Sequence, residues 1–375
     1  MAYIIDGLRV ATGKAGGYYK TVLPETLVAV LLDSLITRNT VNPSELDEVL
    51  LANSFGTGGN MARYAALLSD IPAVVPGTTI DMQCSGGLKS VVMANAMIES
   101  GSHSLIMAGG MESNSLATEK TYHVNDPRFD QYPDGKYRIA KFSPEQTGSE
   151  PLLEAAKKAA ILYDITKAEM LEWTVKSFEK ASAAWESGFM EDVVFSVFGM
   201  GPDQTLKPGL TAEKLKRLQT DQLIDFTNTA HHHDGAAVLL LADEASVLKN
   251  NWKPKARIVT SVSIGGDPGL APLGPIWATE KLLEKHGINI QDIDLLEINE
   301  SFALKPLAFS KKFGVDQDKI NVLGGNLAFG HPFGASGAMN LLHLVKALEV
   351  KDKKLGLVAM GAAGGQGVAV LIERL

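Results

Sequence analysis

Leu46-Asp47-Glu48-Val49-Leu50-Leu51-Ala52-Asn53-Ser54-Phe55 and Ile293-Asp294-Leu295-Leu296-Glu297-Ile298-Asn299-Glu300-Ser301-Phe302 follow one pattern: an apolar residue and Asp, an apolar-rich run, then Ser-Phe. They lie 247 residues apart (Phe302 against Phe55), and the same step from Cys84 lands on His331, in Gly330-His331-Pro332-Phe333-Gly334-Ala335-Ser336-Gly337. With a small shift, Leu105-Ile106-Met107-Ala108-Gly109-Gly110 matches Leu357-Val358-Ala359-Met360-Gly361-Ala362. Three matches in the same order mark a duplicated α/β unit. Two such halves packed about a pseudo-twofold axis bring their equivalent elbows, Cys84 and His331, to a shared interface.

Cys84 is the only cysteine of 375 residues. It sits where Thr79-Ile80-Asp81-Met82-Gln83, a strand-like run, gives way to a helix over Leu88 to Glu99. A helix N-terminus favours thiolate over thiol, so a depressed thiol is expected. Ser85, Gly86 and Gly87 leave the sulfur little covered by side chains. The plainer reading of a lone cysteine is a small buried hydrophobe; facing an imidazole, it becomes the minimum set for covalent catalysis. Asn299, closing a strand, offers an amide to fix a water or the imidazole. Gly361-Ala362-Ala363-Gly364-Gly365-Gln366-Gly367 leaves bare backbone N–H groups suited to an oxyanion hole.

Outward from these elbows, strands at Tyr3 to Asp6, Leu46 to Asn53 and Ser104 to Ala108 alternate with helices at Pro24 to Thr37, Asn60 to Leu68 and Leu88 to Glu99. This alternation predicts a mostly parallel sheet covered on both faces. Thr121 to Glu150 is polar and turn-rich, and Pro151 to Tyr163, Lys167 to Ser187 and Thr211 to Gln222 read as amphipathic helices. The expected organisation is an N-terminal α/β half at 1–116, an insertion at 117–230, a return at 231–254 and a C-terminal half at 255–375. Ala236 to Leu241 resumes as a buried strand.

A net charge of −8 excludes a general nucleic-acid surface. One cysteine excludes an intrachain disulfide and fits a reducing compartment. Met1 leads directly into a strand-like run, so no signal peptide is expected. No apolar run approaches the ~20 residues of a membrane span, and Glu373-Arg374-Leu375 is no peroxisomal signal. A cytoplasmic protein is expected. His231, His232 and His233 project in diverging directions, with no further ligand at suitable spacing beyond Asp234, so no metal site is expected.

The residues also carry a resemblance. Ile5-Asp6-Gly7-Leu8-Arg9 with Gly13-Lys14, Gly59-Asn60-Met61-Ala62-Arg63, the Cys84 elbow, Ala108-Gly109-Gly110-Met111-Glu112-Ser113, Asn228 with Asp234-Gly235-Ala236-Ala237, Leu273-Gly274-Pro275, Asn299-Glu300-Ser301-Phe302-Ala303 and the His331 elbow resemble the thiolase family of acetyl-CoA C-acyltransferases, over nearly the whole chain. The resemblance implies a layered αβαβα core of two similar halves with an inserted loop domain on the coenzyme A side. It also implies a homodimer or homotetramer, with an acyl-CoA thioester as substrate and no permanently bound cofactor. By it Cys84 is the acyl acceptor and His331 its activator, while Asn299 holds a water that shares an oxyanion hole with His331. Backbone N–H groups of Cys84 and Ala363 form a second hole. Contacts with coenzyme A or substrate are expected at Arg217, Asn228, Ala230, Ala271 and Phe302, with Lys214 and Lys216 as further basic candidates.

Two departures stand out. Ser85-Gly86 reverses the family's usual Gly-Ser after the cysteine. Gly361 occupies the position of a second cysteine, the usual base for the α-proton. The leading expectation is an acyltransferase working through acyl-Cys84, with His331 or an unidentified group as that base. A decarboxylative condensing enzyme or an acyl-CoA hydrolase would not need it. An acyl-CoA-binding protein without turnover is the third reading.

Overall fold

The structure, a computed structural model, describes residues 1–144 and 151–375. Residues 145–150, the end of the polar stretch read above, lie outside the described residues. The principal strands are β1 (Tyr3–Val10), β2 (Glu48–Ala52), β3 (Gly77–Ile80), β4 (Leu105–Glu112), β5 (His233–Ala242), β6 (Ala256–Gly265), β7 (Leu295–Ile298), β8 (Leu355–Ala362) and β9 (Gln366–Arg374). The principal helices are α1 (Pro24–Arg38), α2 (Met61–Leu68), α3 (Gly86–Glu99), α4 (Pro151–Leu162), α5 (Lys167–Glu186), α6 (Gly274–His286), α7 (Leu304–Phe313) and α8 (Phe333–Val350).

The strands hydrogen-bond in the order β7-β8-β9-β6-β1-β5-β4-β2-β3. Reading outward from the centre, β1-β5-β4-β2 and β6-β9-β8-β7 repeat one another, down to the direction of each pairing. The first two pairings of each series are antiparallel and the third is parallel. The duplication is thus visible in the ladder itself. In the sheet the two series are joined by the pairing of β1 with β6, at Tyr3↔Arg257 and Ile4↔Ala256.

The sheet is mixed, which corrects the expected mostly parallel one. The difference comes from β5 and β9. β9 returns directly beside β8 through the Gly364-Gly365 turn, both glycines at positive φ. β5 returns beside β4 after the long excursion. Periodicity cannot tell such an antiparallel return from another crossover, because both are continuous apolar runs.

Helices α3 and α8 form the middle layer. Helix α3 packs on β2 and β4 of the first half and on β6 and β9 of the second; α8 packs on β4 and β5 and on β7 and β8. Sandwiched between the two halves of the sheet, α8 buries residues all round, as its apolar composition dictates. Helices α1 and α2 cover the outer face of the first half and α6 that of the second, giving the layered αβαβα core. The two central helices approach closely because their N-terminal ends carry glycine. A Cβ on Gly87 would lie 2.6 Å from the Gly334 carbonyl oxygen, and one on Gly337 would lie 2.2 Å from the Leu88 nitrogen. This crossing draws the two elbows together.

Candidate active site

Cys84 follows β3 through a turn that the Asp81 carboxylate holds by accepting from the Gln83 N–H at 2.7 Å. Gln83 sits at φ 49°, a left-handed conformation costly for a residue with a side chain. The chain then enters α3 through a 3₁₀ turn over Gln83–Ser85. His331 precedes α8 after Gly330, at φ 98°. A buried amide chain anchors that loop: Asn326 Nδ2 donates to the Gly330 carbonyl at 3.1 Å, and Asn299 Nδ2 donates to Asn326 Oδ1 at 2.9 Å.

Both elbows open onto one cavity of about 430 Å³, lined by Cys84, His331, His232 and Lys305 together with Gly361, Ala362 and Ala363. Its remaining wall is largely apolar: Phe55, Phe302 and Phe333 from the core, and Ile139, Phe142, Leu152, Leu153 and Ala230 from the excursion between β4 and β5. That excursion is stitched to the Asn299 loop, with Ala230 N–H donating to the Ser301 carbonyl at 3.0 Å and Ala303 N–H to the Asn228 carbonyl at 2.9 Å.

His331 is buried, with Nδ1 2.7 Å from Ser336 Oγ. Among the described residues its Nε2 has no hydrogen-bond partner. Burial first, then the neighbouring Lys305 cation, pushes the imidazole well below its ordinary range, so it is neutral at pH 7. With the proton on Nδ1, Nε2 keeps a lone pair to accept a thiol proton.

The thiol departs from expectation. Burial pushes Cys84 up to about 11, outweighing Lys305, which pulls it down. The helix N-terminus does not deliver a resting thiolate, and proton transfer to His331 has to accompany attack.

Lys305 is the residue that sequence reading missed. It lies in the first turn of α7, 2% exposed, and Nζ donates to Asn299 Oδ1 and, at 3.1 Å, to Ser301 Oγ. Burial lowers it to about 8. The available signal was a lone cation inside the apolar run Phe302-Ala303-Leu304-Lys305-Pro306-Leu307-Ala308-Phe309. Asn299 differs from expectation accordingly. Its oxygen is taken by Lys305 and its nitrogen donates to Asn326, so it stands one hydrogen bond back from a cavity that Lys305 lines.

Of the other expected contacts, Ala230, Ala271 and Phe302 line the cavity, as does Ala363. Asn228 is instead internal, donating to the Leu223 carbonyl at 2.9 Å and accepting from the Asp225 N–H at 3.1 Å. Arg217, capping the short helix Ala212–Lys216, is exposed and outside the cavity lining, and Lys214 and Lys216 are exposed beside it. The three histidines do diverge. His232 faces the cavity and packs edge-on against Phe333 at 5.3 Å, His233 is buried against Thr205 and the His231 carbonyl, and His231 is exposed. Among the described residues no group of three or more His, Cys, Asp or Glu is arranged to hold a metal ion, and no helix is long and apolar enough to cross a membrane.

Comparison with known proteins accords with this geometry. Residues 2–245 match the family "Thiolase, N-terminal domain" and residues 252–374 match "Thiolase, C-terminal domain". The acetyl-CoA acetyltransferase of Escherichia coli (strain K12) is 36% identical, over 99% of this chain and 98% of the relative. The Bacillus anthracis acetyl-CoA acetyltransferase structure superposes with a TM-score of 0.92 at 31% identity, over 100% of this chain and 98% of that one. The Acat5 thiolase from Ascaris suum, solved in complex with coenzyme A, gives 0.89 at 29%, over the whole of both chains. By its duplicated fold, its paired elbows and these matches along both halves, the chain belongs to the thiolase family.

Proposed function

We propose that this protein is an acyl-CoA C-acyltransferase that works through an acyl thioester on Cys84. The observation that carries the reading is the buried Nε2 of His331, without a hydrogen-bond partner among the described residues, which shares one largely apolar cavity with Cys84. On attack at the thioester carbonyl, His331 Nε2 takes the thiol proton and returns it to the departing coenzyme A sulfur. Backbone N–H groups of Cys84 and Ala363 are the candidates to receive the developing oxyanion, a role typically worth about 3 kcal/mol per donor. The apolar wall suits an acyl chain and the pantetheine arm. The excursion between β4 and β5 contributes Ile139, Phe142, Leu152, Leu153 and Ala230 to the cavity wall, which supports coenzyme A entering from that side. No bound cofactor is required, and a cytoplasmic setting suits a chain whose function rests on one free thiol.

We propose that a second copy pairs at the edge strand β3, beside which Tyr64, Leu67 and Leu68 of α2 and the nearby Val74 are exposed. Uncovered apolar surface beside a free strand edge favours a homodimer, or a tetramer built from it. Light scattering checks the mass in solution.

Thiolysis of a 3-ketoacyl-CoA by free coenzyme A tests the activity, followed by loss of enolate absorbance. Turnover in the wild type and none in C84A is expected. Hydrolysis to a free acid, with no thiolysis, would contradict the proposal.

A further inference from the structure

We propose that Lys305 is the base that moves the α-proton, taking over the role that Gly361 has no side chain to perform. This rests on the acyltransferase reading above and adds the residue that its carbon–carbon bond-forming half requires.

The cavity limits the candidates. Among the described residues, its titratable lining groups are Cys84, His232, His331 and Lys305. Cys84 is occupied as the thioester during this half-reaction. Both histidines are pushed down by burial, which makes them weak bases toward a carbon acid. Lys305 remains.

Its surroundings favour the neutral amine. It is 2% exposed, and among the described residues the charge that acts on it is that of Cys84, not a carboxylate. A buried cation without a counter-ion is costly. The two groups that hold Nζ, Asn299 Oδ1 and Ser301 Oγ, are both able to accept. A neutral amine has two N–H donors for these acceptors and keeps its lone pair for a proton. Burial to about 8 then gives a base that is both strong and substantially unprotonated near neutral pH. Lys305 and Cys84 also sense one another's charge, each favouring the other's ionised form.

The step balances. The Lys305 amine takes a proton from the α-carbon of the second acyl-CoA and becomes the ammonium. The α-carbon attacks the acyl-Cys84 carbonyl, forming the carbon–carbon bond, and collapse of the tetrahedral adduct breaks the carbon–Sγ bond. The departing thiolate takes the proton back from Lys305, so thiol and amine are restored. In the thiolytic direction the ammonium protonates the departing α-carbon.

The test separates the two halves of the cycle in the full-length protein, using acetyl-CoA as probe. Mass spectrometry follows acetyl-Cys84, and deuterium entry into the methyl group of acetyl-CoA in D₂O follows proton abstraction. In K305M, exchange should fall by about 10²–10⁴-fold, while acetylation falls by less than about tenfold. K305R keeps the charge but not the base and should lose exchange equally. Wild-type exchange should rise with pH and level off above about 8. K305Q, which keeps a polar partner for Asn299, guards against misfolding, and thermal melts confirm that each variant is folded. Exchange at wild-type rate in folded K305M or K305Q would overturn the proposal, and exchange preserved in K305R would reduce Lys305 to a fixed charge and overturn it too. A wild-type protein that never acetylates Cys84 would overturn the acyltransferase reading itself. Acetylation with Lys305-independent exchange would overturn this inference alone.

Discussion

The Glu112 carboxylate accepts a hydrogen bond of 3.0 Å from the backbone N–H of Gly334, joining the end of β4 to the first turn of α8 across 222 residues of chain. The same carboxylate accepts from Asn53 Nδ2 and the N–H groups of Ser54 and Phe55. One buried side chain therefore ties the loop after β2 to the helix that follows His331. An uncompensated buried donor costs about 1–3 kcal/mol, so E112A should lose about 3 kcal/mol in chemical denaturation. Burial, opposed by these backbone donors, raises Glu112 to about 7 from 4.5. The folded chain thus holds this proton more tightly than the unfolded chain does. The resulting stabilisation is complete below about pH 4.5 and is lost as the pH rises through about 7. E112Q removes that titration, so the Tm difference should move in the variant's favour across this window.

The crossing of α3 and α8 allows no side chain at Gly337. A methyl group there would sit 2.2 Å from the Leu88 backbone nitrogen. Backbone cannot yield as a flexible side chain can, so G337A should destabilise by about 3 kcal/mol. It should also move His331 relative to Cys84, and the rate of Cys84 acetylation should fall more steeply than stability alone predicts.

Restoring a cysteine at position 361 separates a damaged enzyme from a rewired one. A Cβ there would approach Pro275 Cδ to 2.9 Å and the Ala271 carbonyl oxygen to 3.2 Å. The strand now packs against α6 without room for the side chain. G361C should lower stability by about 1–3 kcal/mol and bring no gain in condensation rate, because Lys305 already serves the step. A large gain would show that the proton has no other carrier.

The doubled fold was readable because duplication leaves a second copy of the pattern to compare. Cys84 and His331 emerged from that comparison, and the cavity holds both. Strand direction was not readable, since β5 and β9 are built around continuous apolar runs, Ala236 to Ala242 and Val368 to Ile372, that look alike whichever way they run. Lys305 was missed because a single cation in an apolar helix looks like a surface position until the helix is packed; six residues from Asn299, it then holds that amide's oxygen and itself lines the cavity. The thiol was misjudged for a related reason. Helix position can be read from sequence, but the desolvation that outweighs it depends on walls contributed by distant segments. Arg217, Lys214 and Lys216 illustrate the converse, basic residues that remain on a solvated helix.

Pulse-labelling with acetyl-CoA carrying isotope in the acetyl group, followed by peptide mapping, tests the pairing of sulfur and imidazole most directly. Label on Cys84 in the wild type is predicted, with none in C84S and a rate lower by about 10²–10⁴-fold in H331A. An unlabelled Cys84 in folded wild-type protein, or labelling at the same rate in H331A, would contradict it.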